Sequence, residues 1–309
     1  MTSIVVGVDA GGSHTRCQVS ALSGQMLGES EGAAGAMRPG EADRAADAIV
    51  DTVRDALASC DMGHVVPSVL CVGAAGVGRD TERLMLWEAL SARGVADDVV
   101  VVTDGETAFD DAFGEGAGIL LIAGTGSMAV GRGPTGVKAR CGGWGPVCGD
   151  EGSGAWIGRR ALSVVTATVD GREPPTALVG AVLTACEVNE ADQLIAWAAA
   201  ATPADLAAIA PAVARTADAG DARADALLAL AVEELVLHVR TLARSLFGDE
   251  RAACPVALAG GLVGPGRPLR RRIERRLKSA VPGMQPHAGE VVAVRGAVRG
   301  ALRHLGVRS

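Results

Sequence analysis

The sequence predicts an α/β protein built from two α/β domains. Apolar strands alternate with amphipathic helical segments through the first half of the chain, which is typical of a sheet covered by helices. A strand, a glycine-rich turn and a second strand occupy the first ~20 residues and recur in form at Gly118–Gly131, as a duplicated unit would produce. The 309 residues are enough for two domains of ordinary size, each with its own core.

The first half of the chain supplies most of the strands. Residues 41–59 place apolar side chains on one face and charged side chains on the other, which predicts an amphipathic helix, and a second helical pattern covers 80–93. Short apolar runs predict strands at Ile4–Val8, Thr15–Ala21, Ser68–Val72, Val99–Val102 and Ile119–Ala123.

The second half is predominantly helical. Helices are predicted at 155–168, 175–200, 204–217 and 222–247, followed by one strand at Pro255–Ala259 and a final helix from about Arg295. We therefore expect an N-terminal domain over 1–115, joined by the C-terminal helix 295–309, and a C-terminal domain over 116–294 that carries a helical insertion.

Net charge, cysteine content and hydropathy argue against several classes of function. The formal net charge is −7, and an acidic chain is a poor partner for nucleic acid or an anionic membrane. The arginine-rich stretch 267–276 is the exception, but Leu269, Ile273 and Leu277 stand at helical spacing in it and directly after it, which favours a solvated helix face over a nucleic-acid contact. Seven cysteines without a C-x-x-C pair, no export signal and no membrane-spanning segment predict reduced thiols and a cytoplasmic protein.

Two glycine-rich turns are candidates for phosphate binding. Asp9-Ala-Gly-Gly-Ser13 and Gly124-Thr-Gly-Ser127 each follow a strand, and a backbone free of large side chains can present several N–H groups to an anion. Simple tight hairpins are the alternative for either turn alone. Asp9 adds a carboxylate at the end of a buried strand, for which magnesium held through water is a natural partner. A P-loop motif is absent, and the G-x-G-x-x-G match at Gly131–Gly136 contains a proline and reads as a plain turn.

Asp104 is the candidate catalytic base. It comes two residues after the predicted strand Val99–Val102, and active sites of open α/β folds lie at the carboxyl ends of strands. The alternative is that Asp104 only caps the helix that starts near Glu106.

The densest motif is the glycine-rich loop from Cys141 to Gly154. Its glycines allow the backbone to approach a ligand, and Trp144 together with Asp150 would provide the apolar wall and polar contacts that orient a sugar. The alternative for Asp150 alone is a helix cap.

Taken in order, these motifs resemble those of the BadF/BadG/BcrA/BcrD ATPase family, in its N-acetylglucosamine kinase-like branch. The resemblance covers residues 7 to about 301 and rests on a set of motifs: Asp9-Ala-Gly-Gly-Ser-His-Thr15, Gly73-Ala-Ala-Gly76, Thr103-Asp104, Gly124-Thr-Gly-Ser127, Gly142-Gly-Trp-Gly145, Gly149-Asp-Glu-Gly-Ser153 and Ala259-Gly-Gly-Leu262.

The resemblance implies an actin-like (ribonuclease H-like) fold of two α/β domains, with ATP and sugar meeting in an interdomain cleft. It implies an ATP-dependent, magnesium-assisted kinase that phosphorylates N-acetylglucosamine or a close relative, such as glucosamine or N-acetylmuramic acid. Asp104 would be the base and would contact the sugar, and Asp9 would hold the metal. The sugar would be lined by Gly143, Trp144, Gly145 and Asp150. The nucleotide would be held by Gly11, Gly12, Ser13, Thr15, Gly124, Thr125, Gly126, Ser127, Gly260 and Gly261.

One departure from the family concerns the sugar. Related kinases usually carry an asparagine after the first hairpin, where this chain reads Gly32-Ala-Ala-Gly35-Ala-Met-Arg38. We expect Gly35→Asn to restore an amide for N-acetylglucosamine. Arg38 could instead serve an acidic sugar such as a muramic acid derivative, or be a solvated surface arginine.

Two other functions remain as alternatives. An ATPase activase that couples hydrolysis to electron transfer would require cysteines converging on an iron–sulfur cluster, and Cys141 and Cys148 are the only close pair. A sugar-sensing regulator would require a DNA-reading extension, which does not precede Ile4. The expected partners are an amino sugar and ATP, neither nucleic acid nor membrane, with association into a homodimer left open.

Overall fold

The structure, a computed structural model, describes residues 3–307, and these form two units. One unit takes the residues up to Gly116 and those from Val291 onward, and the other takes Ala117–Glu290. None of the helices over residues 3–307 combines the length and the apolarity needed to cross a membrane.

Ten strands and twelve helices are defined over these residues. The strands are β1 (Ile4–Ala10), β2 (Thr15–Ala21), β3 (Met26–Gly32), β4 (Val69–Ala74), β5 (Asp98–Thr103), β6 (Gly118–Ala123), β7 (Ser127–Arg132), β8 (Lys138–Gly142), β9 (Cys254–Ala259) and β10 (Met284–Pro286). The helices are α1 (Ala42–Ala58), α2 (Asp80–Ala92), α3 (Asp104–Phe113), α4 (Gly145–Cys148), α5 (Gly154–Val169), α6 (Leu178–Ala185), α7 (Gln193–Ala200), α8 (Pro203–Ala208), α9 (Ala210–Asp218), α10 (Ala222–Phe247), α11 (Pro268–Ala280) and α12 (Ala293–His304).

The two sheets share one topology, which confirms the predicted α/β class. The first has the order β3-β2-β1-β4-β5 and the second β10-β9-β6-β7-β8. In each, three antiparallel strands that are consecutive in the chain are extended by two parallel strands, β4 and β5 in the first sheet and β9 and β10 in the second. The strand, turn and strand at the start of each unit are therefore equivalent elements.

Helices cover both faces of the first sheet. Ile49, Val53 and Leu57 of α1 pack on one face with β1 and β4, while α12 packs on the other through residues such as Ala297 and Ala301. The spacing of the α1 residues is the amphipathic pattern found in the sequence.

Glycine allows α12 to cross α3 closely. A Cβ atom at Gly296 would overlap the carbonyl oxygen of Thr107. A Cβ atom at Gly7 of β1 would lie 2.5 Å from the backbone nitrogen of Val298. The C-terminal helix is thereby held against the strand that ends near Asp9 and the helix that begins at Asp104.

The second unit has a larger helical layer. The 26-residue helix α10 contributes Leu228, Leu235, Val239 and Leu242 to a core shared with α5, α9 and β6. Eight-residue α6 and α7 replace the single helix predicted over 175–200. The chain leaves the helical conformation at Glu187, whose φ is +56°, a conformation that ends helices.

Other predictions needed smaller corrections. The segment 204–217 divides into α8 and α9 at Ile209, and β3, β8 and β10 did not stand out from the sequence. In the arginine-rich stretch, α11 buries Leu269, Ile273 and Leu277 as expected. Three of its arginines pair with acidic groups, Arg270 with Glu274, Arg272 with Asp225 and Arg276 with Glu233.

Candidate functional site

The first unit gathers its candidate residues at one edge of its sheet. Strands β1, β4 and β5 are parallel and in register, with Asp9 opposite Gly73 and Ala74 opposite Thr103. Asp9, the next-to-last residue of β1, and Asp104, directly after β5, therefore lie at the carboxyl ends of two strands. Only β4 separates these strands, which corresponds to roughly 10 Å at ordinary strand spacing.

The charges of these two carboxylates are coupled. Burial, and secondly the charge of Asp104, raise the pKa of Asp9 to about 6, against the smaller lowering effects of His14 and Arg16. Burial also raises the pKa of Asp104, although the backbone N–H of Gly105 donates to its carboxylate. Two buried carboxylates close to each other repel, so binding of a cation or a proton at this edge of the sheet is favoured.

Asp104 is not the cap of α3. Thr103 holds that position: its hydroxyl accepts from the N–H of Glu106, and the Glu106 carboxylate accepts from the N–H of Thr103. The capping alternative for Asp104 is therefore wrong, and its carboxylate is available for another role. Close packing of α3 on β4 fixes its backbone, since a Cβ at Gly73 would overlap the Thr107 hydroxyl.

The turn after β1 is short and open. The N–H of Gly11 donates to the carbonyl of His14 over 3.0 Å, while Gly12 and Ser13 are exposed and Gly12 has open space around it. Thr15 differs from its neighbours because it is fully buried and its hydroxyl donates to Ala33 O at 2.6 Å. We therefore expect Thr15 to support the turn and not to contact phosphate itself.

The loop over residues 33–38 is fastened to this turn. The N–H of Ala36 donates to Gly11 O at 3.1 Å, and the N–H of Met37 donates to Ala75 O at 2.9 Å. Gly35 is buried, and a Cβ there would lie 2.6 Å from the Thr15 hydroxyl oxygen. An asparagine at position 35 would clash with its neighbours, which argues against our expectation that Gly35→Asn improves the use of N-acetylglucosamine. Arg38 is exposed.

In the second unit, the phosphate-turn candidates meet at the ends of β6 and β9. The N–H groups of Gly154 and Ala155 at the start of α5 donate to the carbonyls of Gly124 and Thr125. A Cβ at Gly124 would lie 3.6 Å from the nitrogen of Gly261. Gly260 has a φ of +102°, and a Cβ there would overlap the carbonyl of Ala123. The glycine and threonine candidates of this unit thus lie together at the carboxyl ends of the adjacent strands β6 and β9. They are Gly124, Thr125, Gly126, Gly260 and Gly261.

The loop from Gly142 to Ser153, called the substrate loop below, lies against the same turn. The N–H of Gly143 donates to Ser127 O at 3.0 Å, and the Ser127 hydroxyl donates to the carbonyl of Glu151 at 2.7 Å. The buried Ser127 side chain therefore joins the turn to the substrate loop, which favours a structural role over a phosphate contact.

Asp150 is the central residue of the substrate loop. Its φ is +57°, which is uncommon outside glycine, and its carboxylate accepts hydrogen bonds from the N–H groups of Ser127 and Gly145. Burial nevertheless raises the pKa of this carboxyl. Ser153 caps α5 by accepting from the N–H of Trp156, so the capping alternative for Asp150 is wrong.

Trp144 is the exposed wall of the loop. Its side chain is 69% exposed in this unit, and the Arg140 guanidinium lies over the ring, 4.9 Å from its centre. Arg140 also donates to Gly143 O. Arg140 did not stand out from the sequence, although a cation four residues before a tryptophan in a glycine-rich loop is a usable signal.

The cysteines nearest to this loop do not form a cluster. Cys141 is the next-to-last residue of β8, and its thiol hydrogen-bonds to Thr241, while Cys148 is exposed at the end of α4. Over residues 3–307, no group of three or more histidine, cysteine and acidic side chains could hold a metal ion alone. A magnesium ion at Asp9 would thus need oxygens from phosphate and water.

Comparison with known proteins identifies related kinases. The model of the BadF/BadG/BcrA/BcrD ATPase family matches residues 6–301. The N-acetylmuramic acid/N-acetylglucosamine kinase of Clostridium acetobutylicum is 28% identical over 261 residues, 84% of this chain and 85% of that protein. The glucosamine kinase GspK of Vibrio cholerae is 27% identical over 297 residues, 92% of this chain and 95% of that protein.

One solved structure extends the comparison to the fold. A candidate N-acetylglucosamine kinase from Chromobacterium violaceum superposes with a TM-score of 0.78 at 31% identity, covering 96% of this chain and 98% of that one. The predicted fold, two α/β domains of the actin-like kind, is confirmed.

Proposed function

The chain belongs to the BadF/BadG/BcrA/BcrD ATPase family, and on that premise we propose that it is an ATP-dependent sugar kinase acting on a hydroxyl of an amino sugar. The observation that carries the proposal is Asp150, which links the phosphate-turn candidate at Gly126–Ser127 to the substrate loop. The related proteins support the substrate class, since their names concern N-acetylmuramic acid, N-acetylglucosamine or glucosamine.

We assign ATP to the glycine-rich backbone of both units. Gly11, Gly12 and Ser13 would approach the phosphates, as would Gly124–Gly126, because exposed N–H groups without bulky side chains bind anions. Gly260 and Gly261, both exposed, would lie near the adenosine.

Asp9 would hold magnesium. Its carboxylate fits that role because it is largely buried and near a second negative charge, an arrangement that a divalent cation relieves. The metal would neutralise charge on the phosphates during transfer.

Asp104 would act as general base. In the proposed reaction the sugar hydroxyl oxygen forms a bond to the γ-phosphorus, the bond from that phosphorus to the β–γ bridging oxygen breaks, and ADP leaves. The hydroxyl proton passes to the Asp104 carboxylate. The raised pKa of this carboxyl suits the role, because a base accepts a proton best when its pKa lies near the working pH.

The sugar is assigned to Gly143, Trp144, Gly145 and Asp150. The exposed indole would pack on the apolar face of the ring, while the backbone and the Asp150 carboxylate would bind hydroxyls. N-acetylglucosamine, glucosamine and N-acetylmuramic acid are the proposed substrates.

A coupled assay of ADP release over amino sugars, neutral hexoses and muramic acids tests the proposal. We expect ATP turnover to rise at least ~10-fold with an amino sugar and little with a neutral hexose, measured against the same reaction without sugar. Sugar-independent ATP hydrolysis by a protein that purifies with stoichiometric iron and sulfide would instead establish the activase alternative.

The remaining expectations concern setting and assembly. We propose that the enzyme works in the cytoplasm, where ATP is available, without nucleic acid or membrane partners. Light scattering on the purified protein will show whether its oligomeric state is a monomer or a homodimer.

A further inference from the structure

His238 is a buried titratable residue that the proposed reaction does not use. It lies on α10 between the core residues Leu235 and Leu242 and is 7% exposed. Its Nδ1 atom is buried and has no hydrogen-bond partner in the part of the chain that the structure describes. A buried polar atom costs free energy unless it is hydrogen-bonded, so an unpaired one in a folded protein requires an explanation.

The imidazole touches both ends of the substrate loop. At the first end, a Cβ on Gly142 would lie 2.9 Å from Nε2, and Gly142 has a φ of +77°. At the other end, Nε2 lies 3.9 Å from Oε2 of Glu151. One side chain of α10 thus supports the turn that opens the loop and faces the carboxylate next to Asp150.

Contacts continue from His238 to the residues assigned to the sugar. The Glu151 carbonyl accepts a hydrogen bond from the Ser127 hydroxyl. The negative charge of the Glu151 side chain contributes to the raised pKa of the adjacent Asp150. A Cβ at Gly149 would lie 2.9 Å from Cβ of Trp144 and 3.5 Å from Oε2 of Glu151. Glu151 therefore adjoins Asp150 in the chain and approaches Trp144 across Gly149, where no side chain separates the two.

The surroundings of His238 contain few ionisable groups. Burial lowers the pKa of His238, and the Glu151 carboxylate opposes that effect. The Cys141 thiol at the end of β8 and Asp150 are the other ionisable groups near Glu151. Near neutral pH the imidazole is uncharged, and in acid its protonation creates an attraction to Glu151.

We propose that His238 is a positioning residue for the sugar: the uncharged imidazole seats Gly142 and leaves Glu151 in place, whereas the imidazolium pulls Glu151 toward α10 and disturbs the substrate loop. The inference rests on the proposed sugar kinase function for its kinetic consequence. It makes sugar binding pH-sensitive through a group that does not contact the sugar.

Kinetics of three variants test this role. With ATP and magnesium saturating, we expect the sugar KM of the unmodified enzyme to rise as the pH is lowered from about 7.5 into the acid range. In His238→Gln, which does not titrate at this position, the acid dependence should be weaker, because only the part due to Asp104 and Asp150 remains. In His238→Phe, which lacks both ring nitrogens, the sugar KM should rise about 10-fold at pH 7.5 with kcat changed less than about 3-fold. Leu242→Ala is the control, a buried residue one turn along α10, which should lower thermal stability but keep the pH dependence.

Hydrogen exchange gives a readout that needs no activity. Peptides covering residues 142–151 should lose protection between pH 7.5 and 5.5, after correction for intrinsic exchange, and they should lose clearly more in the unmodified protein than in His238→Gln, where only Asp150 still titrates in the loop. The same acid response in both proteins, or an unaltered pH dependence of the sugar KM in His238→Gln, would overturn the proposal. If no sugar stimulates ADP release, the kinase function fails, and hydrogen exchange still decides the role of His238.

Discussion

The Asp150 carboxylate occupies the space that a side chain at position 126 would need: a Cβ on Gly126 would lie 2.7 Å from Oδ2 and 3.1 Å from Cγ. Glycine at 126 is therefore required by its neighbour and not only by the turn. The hydrogen bonds that Asp150 accepts from Ser127 and Gly145 depend on this close approach, so the two glycine-rich motifs form one structure.

Gly126→Ala should weaken sugar use more than it weakens folding. The added methyl group would displace the Asp150 carboxylate from the two N–H groups, which costs roughly 1–3 kcal/mol per buried group left unpaired. We expect kcat/KM for the sugar to fall at least about 10-fold in the ADP-release assay. Gly180→Ala, at a helical glycine with open space around it, is the control and should be neutral or slightly stabilising. Equal behaviour of the two variants would show that Asp150 does not depend on Gly126.

Asp104→Asn and Asp150→Asn should affect different kinetic constants. Asparagine at 104 keeps the shape but cannot accept the proton, and general-base catalysis contributes about 10²- to 10⁴-fold, so kcat should fall at least about 10²-fold. Asp150→Asn should chiefly raise the sugar KM. Because Thr103 caps α3, circular dichroism of the Asp104 variant should match the unmodified protein. The opposite pattern of kcat and KM would exchange the two roles.

Asp9 should make the nucleotide-free protein less stable as the pH rises. Its pKa is raised from 3.8 to about 6 in the folded protein, so the folded state binds this proton more tightly than the unfolded state. The resulting stabilisation is complete below pH 3.8 and is lost as the pH rises through about 6. Asp9→Asn should therefore raise the free energy of unfolding at pH 8 by at most roughly 3 kcal/mol, and the melting temperature with it. At pH 4 both should change little.

The same variant should bind magnesium less well. If Asp9 holds the metal, the magnesium concentration needed for half-maximal activity should rise at least ~10-fold in Asp9→Asn. Asp51→Asn removes the same charge from an exposed carboxylate on α1 and controls for net charge. An unchanged magnesium requirement would remove Asp9 from the metal site, whatever its effect on stability.

Periodicity and turn chemistry predicted the parts of the fold whose signals are local. The strands Thr15–Ala21 and Ile119–Ala123 and the helix over 222–247 are long or strongly patterned, and burial dictates that pattern. The division of 175–200 into two helices depends on one left-handed residue, Glu187, for which apolar periodicity gives no signal.

The sequence predicted which residues form the candidate site, but not the hydrogen bonds and contacts that connect them. Glycine density identified the two turns and the substrate loop, because backbone approach requires it. That Ser127 and Thr15 turn their hydroxyls inward, and that His238 supports the substrate loop from α10, depends on contacts between distant parts of the chain. A single histidine on an apolar helix face is more often a core residue, so the sequence alone did not single it out.

Gly296→Ala should be strongly destabilising. A Cβ there overlaps the Thr107 carbonyl, so α12 would have to move away from α3, and overpacking typically costs about 1–3 kcal/mol or more. Gly300→Ala on the same helix is the matched control, because its Cβ would meet only the Cys71 sulfur at 3.0 Å. Chemical unfolding should give a clearly lower midpoint for Gly296→Ala than for Gly300→Ala. Similar midpoints would mean that α12 is not held by this crossing.

The loop at 33–38 should set which amino sugar is used, and its packing dictates where an amide can be added. Gly35→Asn would press on the Thr15 hydroxyl and on Cβ of Ala10, 3.2 Å away, so we expect lower stability and no gain in activity. Ala36 is half-buried in the same loop. We expect Ala36→Asn to fold normally and to raise kcat/KM for N-acetylglucosamine by up to about 10-fold, the effect of one added hydrogen bond.

Arg38 gives the complementary test, because an exposed guanidinium can pair with a carboxylate only on a sugar that carries one. If it does so, Arg38→Ala should lower kcat/KM for N-acetylmuramic acid about 10-fold and leave N-acetylglucosamine unaffected, since a charge-assisted hydrogen bond is worth roughly 1.5–3 kcal/mol. Arg54→Ala, at an exposed arginine of α1, removes the same charge as a control. Equal activity of Arg38→Ala and Arg54→Ala on both sugars would make Arg38 a solvated surface residue and leave substrate choice to the substrate loop.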